Sequence, residues 1–291
     1  MGTVLTVTVV ADDDATARDL AAAAVAEARR WDDILTTWRP AGELARLNAR
    51  AGGAPVEVSA DLAAALRSMR TLSAATGGAF DPAVGPLVDR WRGPRPPVPP
   101  PAASDATRIA TALALDGQRA ALVAGAALDA GGIGKGIALD AMATLLRRRG
   151  VRAAFLDFGG SSQLAIAAPE ADAAGWRVAI GGLAPGSVLG EIALRDAALS
   201  TSRASEGPTP AGPIVDPRSG VPVFSPRIAT ARATDATSAE AWTKALIVDG
   251  RAALAAARAH GVDALVEDHD GVVTDGLDVT HGGAQRSIEH R

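Results

Sequence analysis

Residues 128–140 read Leu128-Asp129-Ala130-Gly131-Gly132-Ile133-Gly134-Lys135-Gly136-Ile137-Ala138-Leu139-Asp140. Glycines surround a single lysine, and an Ala/Leu-rich run at helical spacing follows. Glycines let backbone N–H groups approach an anion, the amino end of a helix adds positive potential, and Lys135 adds a full charge. The segment therefore reads as a diphosphate cradle ahead of a helix from Gly132 to Arg149. It is neither a Walker A loop nor a G-x-G-x-x-G fingerprint on a parallel strand. A plain glycine turn with a surface lysine is the alternative reading of the same residues.

Working outward, residues 152–157, 163–168, 176–181 and 188–194 read as successive strands, a meander rather than a βαβ series. Residues 227–233 and 263–267 read as further strands, 236–249 and 251–260 as helices, and Asp270-Gly271 as a hairpin signal. Upstream, residues 3–10 alternate and are β-branched, so they read as a strand. Asp14 to Leu35 is a long helix, and residues 60–76 are a second one ended by Gly77-Gly78. A short helix near 105–115 and a strand over 119–123 complete the pattern. Residues 93–101 (GPRPPVPPP) form neither helix nor sheet interior and read as a surface loop. The expected class is α+β, with mostly antiparallel sheets and flanking helices. One domain over 1–281 and a polar tail over 282–291 are expected.

Composition narrows the function. Apolar residues are 48% of the 291, enough for a full core, and aromatics are 3%, so that core is built from small, close-packed side chains. The net charge of −4 is mixed along the chain, and no basic face for nucleic acid is visible. The chain has no cysteine, which excludes disulfides, thiolate metal sites and cysteine nucleophiles. No stretch approaches the roughly 20 apolar residues of a membrane span. The stretch Met1-Gly2-Thr3-Val4-Leu5 has no basic n-region and no lipobox cysteine, so a cytoplasmic location is expected, or export if a leader has been removed. The histidines His260, His269, His281 and His290 lack metal-ligand spacing, and no G-x-S-x-G elbow occurs.

Three further segments suit a ligand. Phe158-Gly159-Gly160-Ser161-Ser162 places two glycines at a strand end, for close approach of a ligand or simply a tight turn. Thr76 to Leu87 (TGGAFDPAVGPL) closes a helix and leads into an extended segment. There Phe80 offers a face to a flat ring, and Asp81 before Pro82 also reads as a turn residue. Ser200-Thr201-Ser202 supplies three hydroxyls after a strand, and Asp216-Pro217-Arg218-Ser219-Gly220 is good turn chemistry.

In this order the segments resemble the ApbE family, the FAD:protein FMN transferases. Met1-Gly2-Thr3 is similar to that family's opening M-G-T. The run from Thr36 and Thr37 through Trp38, Glu43, Leu44 and Leu47 to Asn48 is similar to its S-x-[YW]-x-x-x-S-E-[LI]-x-x-[LI]-N segment. Thr76–Leu87, Leu128–Asp140, Phe158-Gly159-Gly160 and Asp216–Pro222 resemble its T-G-G-A-F-D-P-T-V-G-P-L, L-D-L-G-G-I-A-K-G-Y-A-V-D, L-G-G and D-P-R-T-G-x-P. The resemblance implies an ApbE-like fold with a cleft between two lobes for FAD. It implies cleavage of the FAD diphosphate with Mg2+ and transfer of FMN to a Thr or Ser of a partner protein, with release of AMP. Carried over residue by residue, it places Thr37, Glu43, Ala79, Phe80, Asp81, Gly131, Gly132, Lys135, Asp140, Gly159, Gly160, Thr201 and Ser202 at the flavin nucleotide. It gives catalytic positions at Lys135, Glu240 and Lys244, and metal positions at the Gly132 carbonyl and Glu240.

Three positions depart from the family pattern. Pro213 stands where the family often has His, Glu240 where it has Asp, and Lys244 where it has a metal-binding Thr. An ammonium cannot ligate a cation. Lys244 therefore reads either as a fixed charge in place of part of the metal's, paired with Glu240, or as half of an i,i+4 surface salt bridge. The departures keep two alternatives open: a repurposed flavin- or nucleotide-dependent enzyme on the same scaffold, or a non-catalytic FAD-binding protein.

Overall fold

Strand β1 (Leu5–Val10) leads into helix α1 (Asp14–Leu35). The helix starts where Asp13 accepts from the N–H groups of Ala15 and Thr16, both at 2.9 Å. Its buried face, Leu20, Ala24, Ala28, Trp31 and Leu35, repeats every three to four residues. The structure is a computed structural model that describes residues 2–91, 108–204 and 214–280. The expected Pro-rich loop over 93–101, Pro213 and the tail over 282–291 lie outside the described residues.

Helix α2 (Glu43–Asn48), strand β2 (Val56–Glu57) and helix α3 (Ala60–Ala75) follow. A 3-10 turn over Pro82–Val84 and helix α4 (Gly85–Trp91) come next. This corrects the expectation of an extended segment: Asp81 caps the turn through the Ala83 N–H at 2.9 Å, and Pro82 and Pro86 sit in first turns, where no donor is missed. Among the described residues, the expected helix near 105–115 is helical as α5 (Ile109–Ala112), followed by the hairpin of β3 (Leu113–Asp116) and β4 (Arg119–Leu122). Helix α6 (Gly134–Arg148) is the one read after the glycine turn.

The second half runs β5 (Ala153–Phe158), β6 (Ser162–Ile166), β7 (Trp176–Gly181), β8 (Val188–Leu194), β9 (Ala197–Arg203), β10 (Ile228–Ala233), α7 (Ala236–Asp249), α8 (Leu254–Ala259), β11 (Asp263–Asp268) and β12 (Gly271–Asp275). The main sheet has the order β1-β5-β6-β9-β10-β11-β12, and every neighbouring pair is antiparallel. The α+β class with antiparallel sheets and flanking helices is the observed one.

Strand alternation divides two cores. Leu164 and Ile166 of β6, Ala198 of β9, and Ala264 and Val266 of β11 join the large core that holds the helices. Between them, Ala165, Leu199 and Leu265 face a smaller cluster with Val178, Ile180, Ile192 and Leu194 of the β7–β8 hairpin. The helices therefore cover one face of the sheet and the hairpin the other. Helices α6 and α7 lie backbone to backbone on the helical face. A methyl at Gly136 would sit 2.4 Å from the Ala236 carbonyl oxygen, so glycine is required there.

Candidate functional site

A cavity of about 820 Å3 opens where several segments meet. The chain start (Gly2, Thr3) and the turn after α1 (Thr36 to Arg39) form one side. Ala79 to Pro82, Val84 and Val88 form another, and Asp129 to Gly132, Gly134 and Lys135 supply the floor. Lys244 of α7, Ser161, and Ile214, Val215 and Pro217 close it. Asn48 holds the floor in place: its side-chain amide donates to the Leu128 carbonyl at 2.8 Å and its carbonyl accepts the Leu128 N–H at 2.9 Å. Asp129 accepts the Gly131 N–H at 2.6 Å and tightens the same turn.

Asp81, almost fully buried, accepts from Ser73 Oγ at 2.7 Å and from the Ile109 N–H at 3.0 Å, besides the Ala83 N–H. Burial pushes its carboxyl up against those donors. Its oxygens thus bind α3, the 3-10 turn and α5 together, and they set the wall that carries Ala79 and Phe80. Trp38 lines the cavity and is 70% exposed. Phe80, on the opposite wall, is buried.

A charged cluster lies beneath the glycine turn. Glu240 is completely buried. Its Oε1 accepts from Ser162 Oγ at 2.6 Å and pairs with Lys135 Nζ at 3.1 Å, and its Oε2 accepts the Gly136 N–H at 2.9 Å. Burial works against the anion, but the Lys244 and Lys135 charges, with these donors, hold the Glu240 carboxyl below the ordinary range. Lys135 Nζ also donates to Ser161 Oγ at 2.9 Å and Ser162 Oγ at 2.8 Å, so its three donors are all spent. Lys244 Nζ donates to Ser202 Oγ at 2.9 Å and Thr243 Oγ1 at 3.3 Å. Burial pushes the Lys244 ammonium down to about 8, with Glu240 opposing and Lys135 assisting.

The structure brings Thr37, Ala79, Phe80, Asp81, Gly131, Gly132, Lys135 and Lys244 to one cavity. It places other expected ligand residues elsewhere. Glu43 accepts from the Ser59 backbone and, at 2.7 Å, from Ser59 Oγ, which braces the start of α3. Asp140 points away and caps α7 through the Ala236 and Thr237 N–H groups at 2.7 and 2.9 Å. Burial raises its carboxyl to about 6. Gly159 and Gly160 turn the β5–β6 hairpin with φ of +61° and +70°, and it is the following Ser161 that reaches the wall. Ser200, Thr201 and Ser202 lie inside β9 rather than after a strand, so alternation separates them. Ser202 faces α7, whereas Thr201 meets Thr230 Oγ1 at 3.0 Å on β10. Glu240 makes its direct contact with Lys135 and Lys244 donates to Ser202, while the Lys244 and Glu240 charges still stabilise each other.

Sequence reasoning gave no role to Asn48, Trp38, Ser161, Ser162 or Thr243. Trp38, an aromatic between polar residues, and Ser161 and Ser162, which follow two glycines, carried a local signal.

The Mg2+ implied by the resemblance does not fit the residues present. Both oxygens of Glu240 are engaged by hydrogen bonds and by Lys135, and Lys244 supplies no lone pair. Two unit charges about 4 Å apart near a protein surface interact by roughly 4 kcal/mol, so a dication beside two ammonium groups is opposed on that scale.

The fold is thus an antiparallel α+β one with a cofactor-sized cavity floored by a glycine turn. Comparison makes the assignment specific. The ApbE family model matches residues 1–266, and the chain belongs to that family. It is 34% identical over 239 residues to an FAD:protein FMN transferase of Rhodobacter capsulatus, an alignment that covers 76% of this chain and 45% of that protein. It is 28% identical over 271 residues to one from Klebsiella pneumoniae, covering 86% and 77%. The chain thus spans less than half of the first relative and about three quarters of the second. The apo flavinyl transferase ApbE of Pseudomonas stutzeri superposes with a TM-score of 0.80 at 26% identity, over 94% of this chain and 91% of that one.

Proposed function

We propose that the chain is an FAD:protein FMN transferase. It cleaves the FAD diphosphate and moves the FMN half to a Thr or Ser hydroxyl of a partner protein. One observation carries the reading: Lys244 and the 131–134 glycine turn share the wall of a cavity whose volume suits a dinucleotide cofactor. Trp38 and Phe80 line the cavity as aromatic surface suited to a flat ring, and the glycine turn lets a diphosphate approach the floor closely. In the transfer, the acceptor hydroxyl oxygen bonds to the FMN phosphorus as the bond from that phosphorus to the bridging oxygen breaks. The bridging oxygen leaves with AMP, and the hydroxyl proton passes to the released phosphate or to solvent. The chain's contribution is positioning and charge neutralisation of the diphosphate.

The test is incubation with FAD and a Thr-containing acceptor. AMP release together with an acceptor that gains the mass of FMN supports transfer. FAD that stays intact with every acceptor removes it.

The engaged Glu240 carboxylate favours a second reading, FAD binding without cleavage. Yellow protein that retains unbroken FAD and forms no AMP distinguishes that case.

A further inference from the structure

We infer that the Lys244 ammonium takes the place of a divalent cation at the diphosphate, so that this chain binds its nucleotide without a metal. The inference rests on the reading of the cavity as a diphosphate site, and it concerns how that site neutralises charge.

Three observations carry it. Lys135 and Glu240 are in direct contact at 3.1 Å, and every Lys135 donor is directed at Ser161, Ser162 or Glu240. The expectation that Lys135 meets the diphosphate therefore gives way to Lys244. Lys244 spends two donors on Ser202 and Thr243, which leaves one N–H at a cavity wall. Its stem also lies on the glycine turn: a methyl at Gly132 would be 3.5 Å from Lys244 Cγ and 3.8 Å from Cε. The positive charge of Lys244 is thus fixed beside the glycine turn at the cavity floor.

A carboxylate that served a metal would keep lone pairs for it. Here Glu240 is occupied from three directions, by Ser162, Lys135 and Gly136. The anion's role is to hold the two lysines apart and charged. A point cation built into the protein needs no free ion to complete the site.

The experiment measures FAD affinity by flavin fluorescence for the full chain in EDTA and in Mg2+. It is run on the wild type and on Lys244→Thr, with circular dichroism to check folding. The wild type is expected to change by less than about twofold with Mg2+, and Lys244→Thr to lose about tenfold or more in EDTA, the scale of one charged hydrogen bond. A wild-type affinity that rises tenfold or more with Mg2+ overturns the inference and leaves the flavin reading standing. So does a folded Lys244→Thr that binds as the wild type does in EDTA. The wild-type comparison decides the matter even if the variant fails to fold.

If FAD binds under neither condition, the flavin reading falls. The lysine is then judged by calorimetry with pyrophosphate. Metal-independent binding supports the inference, and no binding, or binding only with Mg2+, overturns it.

Discussion

Asp140 and Glu240 each close the amino end of the other's helix. Asp140 of α6 accepts the first N–H groups of α7 at 2.7 and 2.9 Å, and Glu240 of α7 accepts the Gly136 N–H of α6 at 2.9 Å. One exchange lies away from the cavity, and the other directly beneath its floor. The same pair of helices is thereby locked together and made to carry the charged cluster.

Removing Glu240 therefore costs folding as well as function. Glu240→Ala leaves Lys135 and the Gly136 N–H without their buried partner, and a broken buried pair costs about 3–5 kcal/mol. Glu240→Gln keeps the size and one acceptor oxygen, so it should lose less. Urea denaturation at neutral pH measures both. Equal midpoints for wild type and Glu240→Ala would contradict the packing assigned to this cluster.

Asp140 sets a pH dependence of stability. Burial raises its folded carboxyl from 3.8 to about 6. The folded state binds this proton more tightly than the unfolded state, so the contribution is full below about 3.8 and is lost as pH rises through about 6. The loss is on the order of 2–3 kcal/mol. Asp140→Asn cannot titrate. The stability of the wild type relative to Asp140→Asn should fall between about pH 4 and 6 and level off above that. A difference that is constant, or that grows with pH, would show that Asp140 is not held protonated by burial.

Two glycines of the floor should respond differently to alanine. At Gly136 the new methyl meets the Ala236 backbone at 2.4 Å, and overpacking of this kind costs about 1–3 kcal/mol. Alanine's better helix propensity returns at most about 1 kcal/mol, so the change is destabilising. At Gly132 the methyl makes ordinary contacts of 3.5 Å with Phe80 and Lys244. Gly132→Ala should melt like the wild type and bind FAD more weakly, because it fills the floor. Thermal melting paired with flavin fluorescence separates the two. A destabilised Gly132→Ala with normal FAD affinity would reverse the assignment.

Elements whose signals are local were legible in the sequence. Helix α1 was read as Asp14–Leu35 and is found there, because its Asp13 cap and apolar period are properties of the segment itself. Strand β9 was missed because its sequence, AALSTSR, is small and polar, and pairing with β6 and β10 makes it a strand. That omission misplaced Thr201, since only a known strand tells which hydroxyls share a face. The glycine turn was legible as a place for an anion and Lys244 as a candidate fixed charge, but which lysine keeps a donor to spare was not. That depends on Glu240 reaching Gly136 across 104 residues.

The two hydroxyls of β9 test that alternation. Ser202 Oγ accepts from Lys244 Nζ at 2.9 Å and donates to Thr243 Oγ1 at 3.0 Å, so it fixes the ammonium at the cavity wall. In Ser202→Ala the lysine keeps only Thr243, at 3.3 Å, and regains rotational freedom. A lost hydrogen bond to a charged group is worth about 1.5–3 kcal/mol, and part of that should appear as FAD affinity weakened several-fold. Thr201 bonds across the sheet to Thr230, on the face that α7 does not cover. Thr201→Ala should cost about 1 kcal/mol of stability and leave FAD affinity unchanged. Flavin titration of the two variants side by side decides. If Thr201→Ala weakened FAD as much as Ser202→Ala did, the ligand would lie on the other face of the sheet, and Lys244 would not be the residue that meets it.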